Sequence, residues 1–246
     1  MPLQSLAVAT DSLLEIDHII VCTSTVVQPA AFADLGLTCS NQPIRRPHQG
    51  TVSHLIFFEN IYLELIGVED EMAAEIYAMQ FGIDFLARAQ WRQTQASPFG
   101  LALRRKLEFV ETTLLPASSP AAKANETAAV NFAADNFINF AADNWRTQAE
   151  PLCFVIPDSI SLLSLLDRAT NVDQLLSHAA GMRHLTSAKV AMESVEMTDS
   201  ITMLSRDGVV EVEQNAEPLL ELRFDHQLQK QTLDLRWLGI PVVLSY

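Results

Sequence analysis

Cysteine, glycine and cationic side chains are all scarce in this chain, and each scarcity excludes something. Three cysteines among 246 residues cannot form a disulfide framework. Cys22, Cys39 and Cys153 lie far apart with no CxxC spacing, so no zinc ribbon is implied and buried free thiols are expected. Eight glycines leave little material for phosphate-cradling loops. No GxGxxG, Walker A, GxSxG, HExxH or EF-hand pattern occurs, which argues against nucleotide dependence. Lysine and arginine number 16 against 30 acidic residues, for a net charge of −14. Such a chain repels phosphate backbones and anionic lipid, so neither nucleic acid nor membrane is an expected partner. No apolar run approaches the ~20 residues of a bilayer span, and no secretory signal pattern opens the chain. A cytoplasmic protein is the resulting expectation.

What is present is apolar. Hydrophobic residues make up 49% and charged residues 19%, which excludes a disordered chain. The length suits one to two domains at roughly 150 residues each. Residues 1–13 read as a loose leader. Ile16–Cys22 (IDHIIVC) is the first strong strand. A short helix over 26–36 ends at Gly36, and 40–50 (SNQPIRRPHQG) reads as a loop. Strands follow at 51–58 and 61–67, with Glu59-Asn60 as a tight turn. Met72, Ile76, Met79, Ile83 and Leu86 give helical spacing over 69–92. Residues 99–104 read as a strand and 107–115 as a short helix.

Residues 116–150 differ in kind. This stretch is rich in Ala, Asn, Ser and Asp, and repeats NFAADN at 131–136 and 139–144. It reads as a low-complexity insert, a loop or marginal helix, with Trp145 as an anchor to the body. After it come a strand at 152–156, helical spacing over 158–178, and strands at 185–194, 208–214, 218–224 and 240–245. The interspersed helices lack the regular alternation of a doubly wound sheet, so an α+β architecture is expected.

The chemistry is sought among carboxylates and histidines set in apolar strands. Asp17-His18 heads the first strand, and Glu64 lies within Tyr62-Leu63-Glu64-Leu65-Ile66. A carboxylate among apolar neighbours is costly unless paired or metal-bound. Two adjacent strands could bring imidazole and carboxylate together, a set that suits zinc, nickel, manganese or ferrous iron. In the strand at 51–58, His54, Ile56 and Phe58 share one face and Leu55 and Phe57 the other; the sequence leaves open which faces inward. Arg45-Arg46-Pro47-His48 could meet an anionic substrate.

IDHIIVCTS, GTVSHLIFFENIYLELIG and FGLALR together resemble the vicinal oxygen chelate superfamily, in its glyoxalase-like branch. The resemblance is clear over about 15–105 and weaker over 151–225. It implies paired βαβββ modules forming curved mixed sheets around a cleft. Residues 14–115 would hold the first module and the start of a second, and 151–246 a second, divergent module. It further implies a divalent metal held by His18 and Glu64. His54, Tyr62, Phe58, Leu101 and Arg45 are candidate pocket residues. Glu221, in Leu219-Leu220-Glu221-Leu222, echoes the Leu-Glu-Leu around Glu64 and is a candidate second ligand or catalytic base. The second half departs from the metal-enzyme pattern, with Leu101 where some members carry histidine.

Two function classes follow. One is a metal-dependent lyase, isomerase or dioxygenase acting on a small oxygen-rich molecule. The other is a metal-free protein that sequesters a small ligand in the same cleft. A third, partner binding through the 116–150 insert, would act outside the cleft. The chain is expected as a monomer or homodimer.

Overall fold

A computed structural model describes residues 12–106, 139–141, 143–144, 147–193 and 197–246. The predicted helix over 107–115, the first NFAADN copy, Trp145 and most of the leader lie outside these residues.

The first module forms as its apolar spacing predicts. Strand β1 (Leu14–Thr23) leads to a short helix α1 (Pro29–Ala33), then to β2 (Ile44–Arg46), β3 (Thr51–Phe57) and β4 (Tyr62–Val68). β1 pairs parallel with β4, and β3 pairs antiparallel with both β4 and β2. The Glu59-Asn60 turn closes with the Phe58 amide donating to the Ile61 carbonyl at 2.8 Å. The stretch read as a loop at 40–50 contributes β2, because Ile44–Arg46 finds a free edge on β3.

Gly50 links β2 to β3 with φ +67°. A Cβ there would lie 2.1 Å from the Asp70 carbonyl oxygen. Only glycine lets the backbone approach so closely, and the Gly50 carbonyl accepts from the Glu69 and Asp70 amides in return.

The predicted helix over 69–92 is three short ones: α2 (Glu71–Phe81), α3 (Phe85–Ala89) and α4 (Trp91–Thr94). Asp70 caps α2 through the Ala73 amide, and Gly82 ends it in the left-handed conformation. The side of α2 that packs inward carries Ala74 and Tyr77, while Met72, Ile76 and Met79 face solvent. Helical spacing located the helix but not its inner face.

β5 (Phe99–Arg105) pairs antiparallel with β1 and extends the sheet to β7 (Leu152–Val155) and β6 (Asn139–Phe140). The first sheet therefore runs β2-β3-β4-β1-β5-β7-β6. The described end of the 116–150 insert is not a free loop, since β6 pairs with β7. Asn144 ties it further, its Oδ1 accepting from the Cys153 amide at 2.7 Å.

α5 (Leu162–Arg168) and α6 (Val172–Leu176) replace the single helical stretch expected over 158–178. The remaining strands are β8 (Leu185–Met192), β9 (Glu211–Gln214), β10 (Leu219–Phe224), β11 (Thr232–Asp234) and β12 (Val242–Ser245). With α7 (Asp199–Arg206), they build a second sheet of order β11-β12-β10-β8-β9. The segment read as one module over 151–246 is thus divided between two sheets. β7 completes the first, and everything from Leu185 onward forms the second. The fold is α+β with two mixed sheets.

The back face of the first sheet packs against the second. Ile19, Ile56, Leu63, Leu65 and Leu101 meet Ala188, Leu220, Leu222, Phe224 and Leu244 in one core. The front face is covered by α2, α3 and α5, and that is where the cavity lies.

His178 ties the segment after α6 to the first module. The Thr38 amide donates to its Nδ1 at 3.0 Å, so Nε2 carries the proton and donates to the Phe57 carbonyl at 2.7 Å. Burial pushes the His178 pKa down, and the bond to Phe57 opposes this in part. A lowered folded pKa means this stabilisation is complete above the unfolded value of about 6.5 and is lost as pH falls through the folded value. His178→Ala is expected to cost about 2 kcal/mol at pH 8, with two buried groups left unpaired. Urea melts at pH 8 and pH 5 check this, because the gap should narrow at pH 5.

Candidate functional site

Strand alternation decides what faces the cavity, with one exception that matters. Ile16 and His18 pair with consecutive residues of β5, Leu103 and Ala102, so Asp17 is an extra, bulged residue. The bulge lets Asp17 and His18, neighbours in sequence, lie side by side. Asp17 Oδ1 is 2.9 Å from His18 Nδ1. The carboxylate accepts a hydrogen bond from Nδ1–H, and Nε2 faces Glu64 and the cavity. Asp17 Oδ2 accepts from Arg104 Nη1 at 3.1 Å and from the Leu162 amide at 2.9 Å. Arg104 also donates to Glu15 Oε1 and to the Asn60 carbonyl. Asp17 is fully buried and fully engaged.

Glu64 sits one strand away, opposite Ile20 in the β1–β4 register. Its Oε1 accepts from Arg46 Nη2 at 2.7 Å and from Ser53 Oγ at 2.8 Å. Arg46 Nη1 also donates to Ser53 Oγ. Burial works to raise the Glu64 pKa. The Arg46 guanidinium, His18 and the two hydrogen bonds outweigh it and hold the carboxyl below its ordinary range. Glu64 Oε2 then faces His18 Nε2 across 3.9 Å. Tyr62, opposite His18 in the register, stacks on the imidazole with ring centres 4.3 Å apart. Burial, with the Glu64 and Asp17 charges, keeps the Tyr62 phenol protonated.

The cavity over this cluster holds about 480 Å³. Its polar floor is His18, Glu64, Arg46 and Tyr62, and its walls are apolar: Ile20, Leu55, Phe57, Ile66, Phe85, Phe154 and Leu165 among them. Arg45 and Arg168 line it from exposed positions. Arg45 is paired with Glu69.

His18, Glu64, Tyr62 and Arg45 thus come together on one cavity. His54, Phe58 and Leu101, expected as pocket residues, do not line it. In β3 the inward positions are Ser53, Leu55 and Phe57. His54 points the other way and bonds the Ser40 carbonyl through Nδ1 at 2.8 Å. Phe58, just beyond β3, packs on Phe224 and His178 between the sheets. Leu101 pairs with Ile19 and shares its back-face core, while its neighbour Ala102 takes the front. Glu221 lies in the second sheet and pairs with Lys189 at 3.0 Å, away from the cavity. Its Leu-Glu-Leu echo reflects the alternation of a half-exposed strand. Sequence reasoning placed Arg46 in a loop for an anionic substrate and missed it, with Ser53, as a partner of Glu64, although the apolar setting of Glu64 demanded a buried one. It also missed Phe154 and Arg168, which reach the cavity only through β7 and α5.

The donor set does not fit a resident divalent metal. A resident zinc-type metal is held by three or more protein ligands with free lone pairs. Among the described residues no group of three or more His, Cys, Asp or Glu side chains could hold one. Glu64 already spends Oε1 on the Arg46 guanidinium, which leaves Oε2 alone and lowers the carboxylate's pull on a second cation. Across β5 and β7 the same face carries Ala102, Leu152 and Phe154, which offer no ligating atoms. The three cysteines are free and buried, and burial pushes each thiol up to about 12.

A mixed-sheet fold with a histidine and a glutamate on neighbouring strands of one βαβββ unit defines a glyoxalase-like protein. The family profile of the glyoxalase-like domain matches residues 16–201, and the chain belongs to that family. A hypothetical protein from Staphylococcus aureus has a similar fold, with a TM-score of 0.50 and 12% identity. That likeness covers 95% of this chain and 98% of the other. No curated protein matches the sequence. Among the described residues no helix is long and apolar enough to cross a membrane.

Proposed function

We propose that the cavity binds a small, largely apolar molecule whose carbonyl or hydroxyl end reaches the floor, and that His18 moves a proton there without a metal. The observation that carries this is His18 Nε2 and Glu64 Oε2 facing each other across 3.9 Å beneath apolar walls. In its neutral form the imidazole offers Nε2 as a base at that spacing. A ligand hydroxyl, or an acidic C–H beside a carbonyl, supplies the proton.

The roles follow from the surroundings. Asp17 fixes the imidazole tautomer and steadies the cation formed when Nε2 accepts a proton. Glu64, held ionised by Arg46, stabilises that same imidazolium from the other side. The Tyr62 phenol and the Arg46 guanidinium are donors for a developing oxyanion. The reaction class is proton abstraction next to a carbonyl, with return of the proton at the same or a neighbouring atom, an isomerase-type step. Sequestration without turnover is the second reading, favoured by walls that are far more apolar than the floor.

Deuterium uptake tests the two. Enolisable ketones and keto acids that raise the melting temperature are incubated with the protein in deuterated buffer and followed by NMR. Proton abstraction is expected to give exchange that falls on the order of a hundredfold or more in His18→Gln. Bound ketones that exchange no faster than in buffer would leave sequestration as the function.

A further inference from the structure

The two ends of the cavity differ in charge, and the difference selects a ligand class. At the floor, Glu64 and Arg46 cancel in a 2.7 Å pair. The floor therefore presents hydrogen-bonding groups with no net charge to spare, and suits an uncharged carbonyl or hydroxyl. The mouth is different. Arg168, at the C-terminal end of α5, lines the cavity, and its guanidinium bonds only backbone carbonyls: Nε to Ser164 and Nη2 to Ser159. Among the described residues no carboxylate pairs with it, in a chain that carries 30 acidic side chains. Arg45 lies on the same cavity, with its charge shared by Glu69.

We infer that the ligand is an elongated apolar carboxylic acid with a neutral oxygen function at its far end, an oxo acid or hydroxy acid, whose carboxylate sits on Arg168 at the mouth. This rests on the proposed function for the position of the carbonyl and adds the anionic end. The two Arg168 bonds hold the guanidinium in place from its own helix, leaving the remaining N–H groups for a carboxylate. The cavity volume of about 480 Å³ lies within the range of small-molecule sites, so a medium-chain acid of roughly ten carbons is a suitable probe.

The test is calorimetric binding of three probes: a keto acid of about ten carbons with the ketone at the far end, its methyl ester, and the parent fatty acid without the ketone. The keto acid is expected to bind about tenfold tighter than its ester. Arg168→Gln should remove that preference and leave the ester affinity unchanged, and Arg168→Lys should restore part of it. Glu69→Gln, which releases Arg45, should strengthen acid binding further. Equal affinity for acid and ester, or an Arg168→Gln loss that is the same for both, overturns the anionic end while leaving the floor chemistry standing. A parent fatty acid that binds as well as the keto acid overturns the far-end oxygen. Failure of all three probes to bind overturns the apolar-ligand reading itself.

Discussion

Asp17→Ala is expected to destabilise the protein by about 3–5 kcal/mol, the range for removing one partner of a buried ion pair. Asp17 is fully buried, and its carboxylate satisfies the imidazole of His18, the guanidinium of Arg104 and the backbone amide of Leu162. Alanine leaves all three donors facing a hole. Arg104 keeps Glu15 and the Asn60 carbonyl, which softens the loss at that point. The Leu162 amide, at the first turn of α5, has no such substitute. The wall formed by α5 should therefore loosen together with the site. Asp17→Asn preserves the volume but is expected to favour the wrong imidazole tautomer. It should keep most of the stability and lose activity. Urea denaturation checks the first variant, and a cost below about 1 kcal/mol would show that the network is not what holds α5.

Arg46→Met should cost a similar amount at neutral pH, and its pH dependence should reverse sign. Both partners of the Arg46–Glu64 pair are buried. In the wild type the Glu64 pKa is depressed, so its stabilisation is complete above the unfolded value of about 4.3 and is lost as pH falls through the folded value. Without Arg46, burial dominates and raises the Glu64 carboxyl. The variant should then gain stability relative to wild type as the medium is acidified toward pH 5 and Glu64 takes up a proton. The double variant Arg46→Met with Glu64→Leu should recover most of the loss, because two apolar side chains replace a desolvated pair. Melting curves across pH 4 to 8 for the four proteins close the cycle. A double variant no more stable than Arg46→Met would assign the cost to packing rather than to charge.

What was legible in the sequence was what depends on local pattern. β1, β3, β4 and β5 announce themselves by β-branched and aromatic residues, and Asp17, His18 and Glu64 stand out because charge is rare in such strands. Residue types could not give the facing of β3, because both of its faces are buried and neither shows the polar alternation of a half-exposed strand. His54 and Ser53 are equally polar to a reader. Only pairing with β2 and β4 decides that Ser53 meets Glu64. The face of α2 was misleading for a related reason. Its inward residues are Ala74 and Tyr77, so the most apolar stripe is the exposed one. The partners of Asp17 could not be anticipated either. Arg104 and Leu162 are 87 and 145 residues away, and a bond across that separation leaves no trace in spacing.

The bulge in β1 bears on how such a site can be lost. Ile16 faces the rear core and His18 the front, and they pair with consecutive residues of β5. Deleting Asp17 would leave an ordinary ladder with every other side chain on its present face. Removing this one residue would therefore cause no register slip between β1 and β5. What such a deletion removes is the acceptor that orients His18, together with the partner of Arg104 and of the Leu162 amide, so the ladder would survive while the site and the α5 wall lose their anchor.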